Sequence, residues 1–165
     1  MAPPSFLPPA TTTGPTATTV PATTAATAVA APECTVVDGR ADVRCTPGAV
    51  NPAVTQATIG VTVCRAGWAA TVRPSTSYTT PLKQRLMARY GITAALPAVE
   101  LDHLIALSVG GSPTDPRNLF PQLWDGPRGA HVKDTEEGVV HRDVCAGRIT
   151  LAEGQAKLLA DWTHR

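Results

Sequence analysis

Long apolar runs are missing from this sequence of 165 residues, and none reaches the length of a membrane span. A secretory leader is missing too: residues 1–30 contain no Lys or Arg and only short apolar runs, whereas a signal peptide needs a basic start and an apolar centre. If the protein is exported, its leader was removed, lies upstream of this sequence, or is replaced by another route. Excess charge is also lacking. The 14 Lys and Arg stand against 13 Asp and Glu, a net charge of +1, so charge alone does not announce a nucleic-acid binder. Aromatic residues make up only 4% of the chain. Trp68, Trp124 and Trp162 are too scattered for a base-stacking platform and are read as core residues. No Cys-x-x-Cys pair occurs, which argues against a zinc ribbon or a thioredoxin-like site. No internal repeat is found.

What is present divides the chain in two. Residues 1–33 hold 9 Thr, 9 Ala and 7 Pro, and Glu33 is their only charged side chain. Pro and Thr at this density disfavour helix, and there is too little apolar surface to offset the entropy of ordering. This segment is read as a disordered linker or stalk, open to O-glycosylation in a cell that performs it. A low-complexity tail without a role is the plain alternative. An adhesion module on a Thr/Pro stalk would rest on this segment alone. Residues 34–165 carry a net charge of +2 and are numerous enough to build one core unaided.

The four cysteines, Cys34, Cys45, Cys64 and Cys145, all lie in this second part. An even number without metal spacing reads as two disulfides in an exported domain, with four reduced core thiols in a cytosolic protein as the alternative. Three pairings are possible. Residues 36–43 between the first two cysteines look like a hairpin. A two-residue Asp38-Gly39 turn would set Cys34 opposite Val43, whereas a four-residue loop, 38–41, would set it opposite Cys45. Cys34–Cys45 with Cys64–Cys145 is the pairing favoured on the second register.

Residues 46–80 read as β and loop, with 59–63 alternating as a strand does. Thr80-Pro81 to Gly91 reads as a helix with Leu82, Leu86 and Tyr90 on its buried face. Leu101 to Val109 reads as a strand, and Asn118 to Leu123 as a second one, placed at an edge by Pro121. A helix is expected over 130–146, with Val132, Val139, Val140 and Val144 apolar, and Gly138 weakening it. Thr150 and Glu153 form a capping box for a last helix whose buried face carries Leu151, Gln155, Leu158, Leu159 and Trp162.

The chemistry centres on 100–119. Asp102-His103 stands on an apolar run that ends in Gly110-Gly111, and Asn118-Leu119 opens the next. Asp offers a hard oxygen ligand, and His exchanges protons near neutral pH. Side by side they point to a metal-assisted hydrolase. The plain alternative is an Asp that caps a turn beside a satisfied core histidine. His131 read plainly is a solvent-facing helix residue, and His141, four residues before Cys145, reads as structural.

The segment Asp102-His103-Leu-Ile-x-Leu-x-x-Gly110-Gly111 … Asn118-Leu119 resembles the HNH endonucleases. Ala130-His131-x-Lys133-Asp134-x-x-Glu137, then His141-x-x-Val144-Cys145-x-Gly147, and Leu151-Ala-Glu-x-Gln155 … Asp161-Trp162 are similar to a group of small secreted actinobacterial HNH-like proteins. The likeness covers about residues 45–162. It implies an α+β fold: a small disulfide-bonded domain with a ββα-metal core at about 100–146, an N-terminal β/loop region and flanking helices. It implies metal-dependent hydrolysis of phosphodiesters in nucleic acid, DNA being the expected substrate, by a secreted or cell-surface monomer with no membrane span. A single divalent ion, Mg²⁺, Mn²⁺, Ni²⁺ or Zn²⁺, is the implied cofactor. His103 is then the general base, with Asn118 the second catalytic residue. Asp102, Asn118 and His131 are the implied ligands, with Asn118 either completing the metal shell or pinning the two-strand loop by side-chain hydrogen bonds. The motif's final His aligns with Ala130; His131 is one place on, a rotation of about 100° on a helix. Asp134 and Glu137 are other ligand candidates. Arg117 and Lys133 are the expected nucleic-acid contacts. The alternative is a catalytically inactive secreted structural or binding module of the same fold.

Overall fold

A computed structural model of the protein describes Met1, residues 33–160 and Trp162. The expected linker, 1–33, lies outside the described residues except at its two ends. The account below concerns the unit Ala31–Arg165.

The unit opens with a hairpin of two short strands, β1 (Val36–Val37) and β2 (Arg40–Ala41), with Val36 opposite Ala41. Asp38 and Gly39 join them with φ of 54° and 73°, the paired positive values of a two-residue type I′ turn. This corrects the four-residue loop on which the Cys34–Cys45 pairing had been favoured. The disulfide nevertheless forms, with Cα atoms 6.1 Å apart. Strand pairing stops at Ala41, and Cys45 N and Thr46 N both donate to Asp42 O, at 2.9 and 2.7 Å. That tight turn folds Cys45 back to Cys34. The second disulfide joins Cys64 to Cys145, 81 residues apart.

Residues 59–63 are not a strand. Ile59–Val61 is a 3₁₀ turn, and α1 (Trp68–Val72) follows. An alternating pattern makes a strand only with a partner to pair with, and here local bonds win. Thr58 Oγ1 accepts from Thr55 N at 2.8 Å and donates to Ala53 O at 3.0 Å, while Thr62 Oγ1 donates to Thr58 O at 2.7 Å. The next helix, α2 (Thr76–Arg89), starts earlier than expected and holds Pro81 inside it. Ser75, extended after Pro74, is its N-cap. The ring's fixed φ suits a helix, but the helix loses the backbone bond to the Ser77 carbonyl and the ring crowds that oxygen. Leu82, Leu86 and Tyr90 are buried, as their spacing requires.

β3 (Val99–His103) and β4 (Leu119–Leu123) form an antiparallel pair in which Asp102 faces Phe120 and His103 faces Leu119. The first strand is shorter than expected, because Leu107–Val109 turns into a 3₁₀ helix. Asn118 ends a 3₁₀ turn just before β4. Pro121 pairs opposite Leu101 in a sheet of only two strands, which leaves an edge free for its missing N–H.

α3 (Ala130–Cys145) and α4 (Leu151–Leu159) complete the unit, and the Thr150–Glu153 capping box is formed. Val140 and Val144 of α3 pack with Leu151 and Leu158 of α4 and with Ile105, Val109, Val54 and Val63 in the largest core cluster. Two expected core positions face out: Val132 is 40% and Leu159 42% exposed. Val132 is displaced because its neighbour Lys133 takes the inward position. The architecture is mixed α+β with small antiparallel sheets and two disulfides. No helix among the described residues is long and apolar enough to cross a membrane.

The two disulfides close loops of very different size, 11 and 81 residues. On chain entropy the longer one removes more freedom from the unfolded chain. Replacing Cys64 and Cys145 by Ala should lower unfolding stability by about 4 kcal/mol, against about 3 kcal/mol for Cys34 and Cys45. Urea titration of the two double variants checks the order.

Candidate functional site

The chemistry-bearing residues meet where the end of β3 lies against the first turns of α3. Asp102, His103, Asn118 and Lys133 are all buried. The inward face of α3 runs 130, 133, 137, 140, 144, the spacing of one helix face, and two of its five positions are Lys and Glu. Lys133 is 1% exposed. Its Nζ lies 2.8 Å from Asp102 Oδ2, donates to the His103 carbonyl at 2.8 Å, and pairs with Glu137 one turn along. Two of the three ammonium protons have hydrogen-bond acceptors, the His103 carbonyl and Glu137, and Asp102 Oδ2 is held as an ion pair. The other Asp102 oxygen accepts from His103 N at 2.7 Å.

These contacts set the titration of the group. Burial works against the Lys133 charge, but Asp102 and Glu137 outweigh it and hold the ammonium above its usual range. Burial raises the Glu137 carboxyl; Lys133 opposes the rise and Asp102 adds to it. Burial, reinforced by Asp102, Asp134 and Glu137, pushes Glu100 up to about 8. Asp134 is raised as well, first by burial and then by Asp102. His103 is lowered, chiefly by burial, which keeps the imidazole neutral at pH 7.

Asn118 holds the loop that leaves β3. Its Oδ1 accepts from Ile105 N at 2.9 Å and from Ala49 N at 3.5 Å. Its Nδ2 donates to Ile105 O and Ser112 O, both at 3.0 Å. Gly111 is required beside it, because a Cβ there would fall on the Ile105 carbonyl. The same loop carries Pro113, whose carbonyl lies 3.1 Å from His103 Nε2. A carbonyl can only accept, so Nε2 bears the proton of the neutral ring and Nδ1 keeps the lone pair.

Four sequence assignments look different in this setting. Asn118 spends its amide on the backbone, which is the loop-pinning role, and both acceptor positions of its oxygen are used. Lys133 faces inward, where phosphate cannot reach its ammonium. Arg117 is on the surface but its guanidinium is held by Asp115, with Nη2 2.6 Å from Oδ2. His131, with its side chain 64% exposed, packs tilted against Trp124 at 5.1 Å between centroids and lies 3.9 Å from Asp125. His141 contacts the Val63 carbonyl at 2.9 Å. Among the described residues no group of three or more His, Cys, Asp or Glu is placed to hold a metal ion. With Asp102 paired to Lys133, Asn118 committed and His131 turned to Trp124, the donor set as it stands does not fit a divalent ion.

His103 lines a cleft of about 270 Å³ together with Arg73, Lys83, Glu100 and Trp124. A larger hollow of about 600 Å³, bordered by Gly39, Ile92 and Arg128, has no imidazole in its wall. Arg73 and Glu100 escape a reading by motif, since neither belongs to the Asp-His or Asn-Leu pattern. The signal for Lys133 and Glu137 was their place on the α3 core face, and it was hidden because a hydrophobic pattern does not look for charge there.

Comparison with protein-family models, with curated proteins and with solved structures finds no match for this chain.

Two measurements test this electrostatic arrangement. Lys133→Met should destabilise the fold by about 3–5 kcal/mol, because it strands buried carboxylates. Adding Asp102→Asn and Glu137→Gln should recover part of the loss in denaturant titrations. Glu100 binds its proton more tightly when folded, so its share of stability falls as pH rises from its ordinary 4.5 towards about 8. Glu100→Gln should therefore match wild type near pH 5 and exceed it near pH 8. Equal stability at both would refute the shift.

Proposed function

We propose that this chain hydrolyses phosphodiester bonds in nucleic acid, DNA being the expected substrate, as an exported protein of the HNH endonuclease type. The observation that carries the reading is the His103 ring. It is buried at a cleft, neutral at pH 7, and fixed by the Pro113 carbonyl in the tautomer that leaves Nδ1 as a base. A positioned neutral imidazole takes the proton from water as the water oxygen bonds to phosphorus and the bond to the sugar oxygen breaks, the departing oxygen taking a proton from solvent. Two disulfides suit an oxidising compartment and support export. The strand, strand, helix order of β3, β4 and α3 agrees with the sequence resemblance. No step is assigned to a metal ion, because the donors do not fit one as arranged.

A second reading, a catalytically inactive secreted structural or binding module, is favoured by one specific contact. The Lys133 ammonium sits on Asp102, where the resemblance expects a cation to bind. Plasmid cleavage by the purified protein separates the two, run in chelator and with Mg²⁺, Mn²⁺, Ni²⁺ or Zn²⁺. The first reading expects cleavage in at least one condition and a fall of about 10²–10⁴-fold in His103→Ala. Undiminished cleavage by that variant would sink the mechanism. No cleavage under any condition would leave the inactive module.

A further inference from the structure

Nucleic-acid binding needs a cation that reaches phosphate, and neither basic residue singled out by the sequence stands free at the His103 cleft. Lys133 is enclosed, and Arg117 is engaged by Asp115. We infer that Arg73 is the residue that binds the phosphodiester beside His103.

The inference rests on the hydrolase reading above and deepens it. Arg73 occupies the short connector between α1 and α2, followed by Pro74, so its backbone is held from both sides. It lines the same cleft as His103. It is exposed, and although Asp134 and His103 lie within its electrostatic reach, among the described residues its guanidinium makes no ion pair or side-chain hydrogen bond. Arg44, Arg89, Arg128 and Arg148, by contrast, are each paired with an acid. An unpaired guanidinium presents a planar fork of donors that matches two phosphate oxygens.

The rest of the cleft agrees with an anionic ligand. Lys83 donates to the Leu96 and Val99 carbonyls at 2.9 and 2.8 Å, so its ammonium is held in the wall, and among the described residues it has no ion pair. Glu100 is the one acid in the lining. The hydroxyl-bearing Thr76, Thr79 and Thr80 border the same space. A phosphate on Arg73 would therefore lie in the cleft that His103 lines, which is where a proton acceptor for the attacking water is needed.

The test is binding, measured on a phosphorothioate-linked probe that resists hydrolysis so that turnover cannot confuse it. The probe is a fluorescein-labelled oligonucleotide, single-stranded and duplex, titrated by anisotropy across a salt series. Arg73→Gln should weaken binding about tenfold and reduce the slope of log affinity against log salt by about one. Arg73→Lys should restore the slope but only part of the affinity, because it keeps the charge and loses the fork. Arg117→Gln should change neither. If wild type binds and Arg73→Gln binds equally well with the same salt slope, the assignment of Arg73 is wrong while the hydrolase reading stands. If wild type binds neither probe at any salt, the hydrolase reading fails and the inference with it. Unchanged thermal unfolding of Arg73→Gln separates a lost contact from a lost fold.

Discussion

The site depends on the Lys133 ammonium enclosed between β3 and α3. It joins Asp102 and the His103 carbonyl on the strand to Glu137 on the helix, through two hydrogen bonds and an ion pair to Asp102. A buried charge is tolerable only when paired and hydrogen-bonded, so this contact fixes the distance and rotation of the helix against the strand end. An apolar side chain at the same place would fill space but would not choose one register. Because the clamp reaches the His103 backbone, it also fixes where the imidazole begins.

The remaining restraints work on the other side of that histidine. Asn118 closes the 105–112 loop with its whole amide, and Gly111 lets the loop fold close to the Ile105 carbonyl. The loop delivers the Pro113 carbonyl to the ring. The Cys64–Cys145 bond ties the far end of α3 to the segment ahead of α1, where Arg73 follows. Backbone on both sides of the cleft is therefore anchored by bonds outside the cleft itself, which is the condition for a preorganised site.

Charge in this protein is distributed by enclosure more than by number. A net charge of +1 predicts little, yet near Lys133 the carboxyls of Glu100, Asp134 and Glu137 are pushed towards their neutral forms. Basic side chains that look alike in the sequence differ in what faces them: Lys133 is buried in a clamp, several are bound to neighbouring acids, and Arg73, without an ion pair among the described residues, stands at the cleft. The same separation explains the departure from the sequence expectation at His131, which turns to Trp124 and Asp125.

The sequence by itself determined the elements whose cause is local. The capping box at Thr150, the buried face of α2, the extent of α3 and the Asp-His and Asn-Leu pairs were legible because each rests on spacing or on one side chain's own chemistry. It failed at 59–63, where a strand pattern lacked a partner, and at Pro81, where a tolerable φ outweighed one lost bond. The Cys34–Cys45 bond was expected from a register that does not occur, and a turn at Asp42 supplied the closure instead. Only the tertiary structure decided what Lys133, Asn118 and Arg73 do. Their roles depend on which groups lie across from them in space, and a carboxylate 31 residues away along the chain, brought to 2.8 Å, leaves no mark on the residues around Lys133.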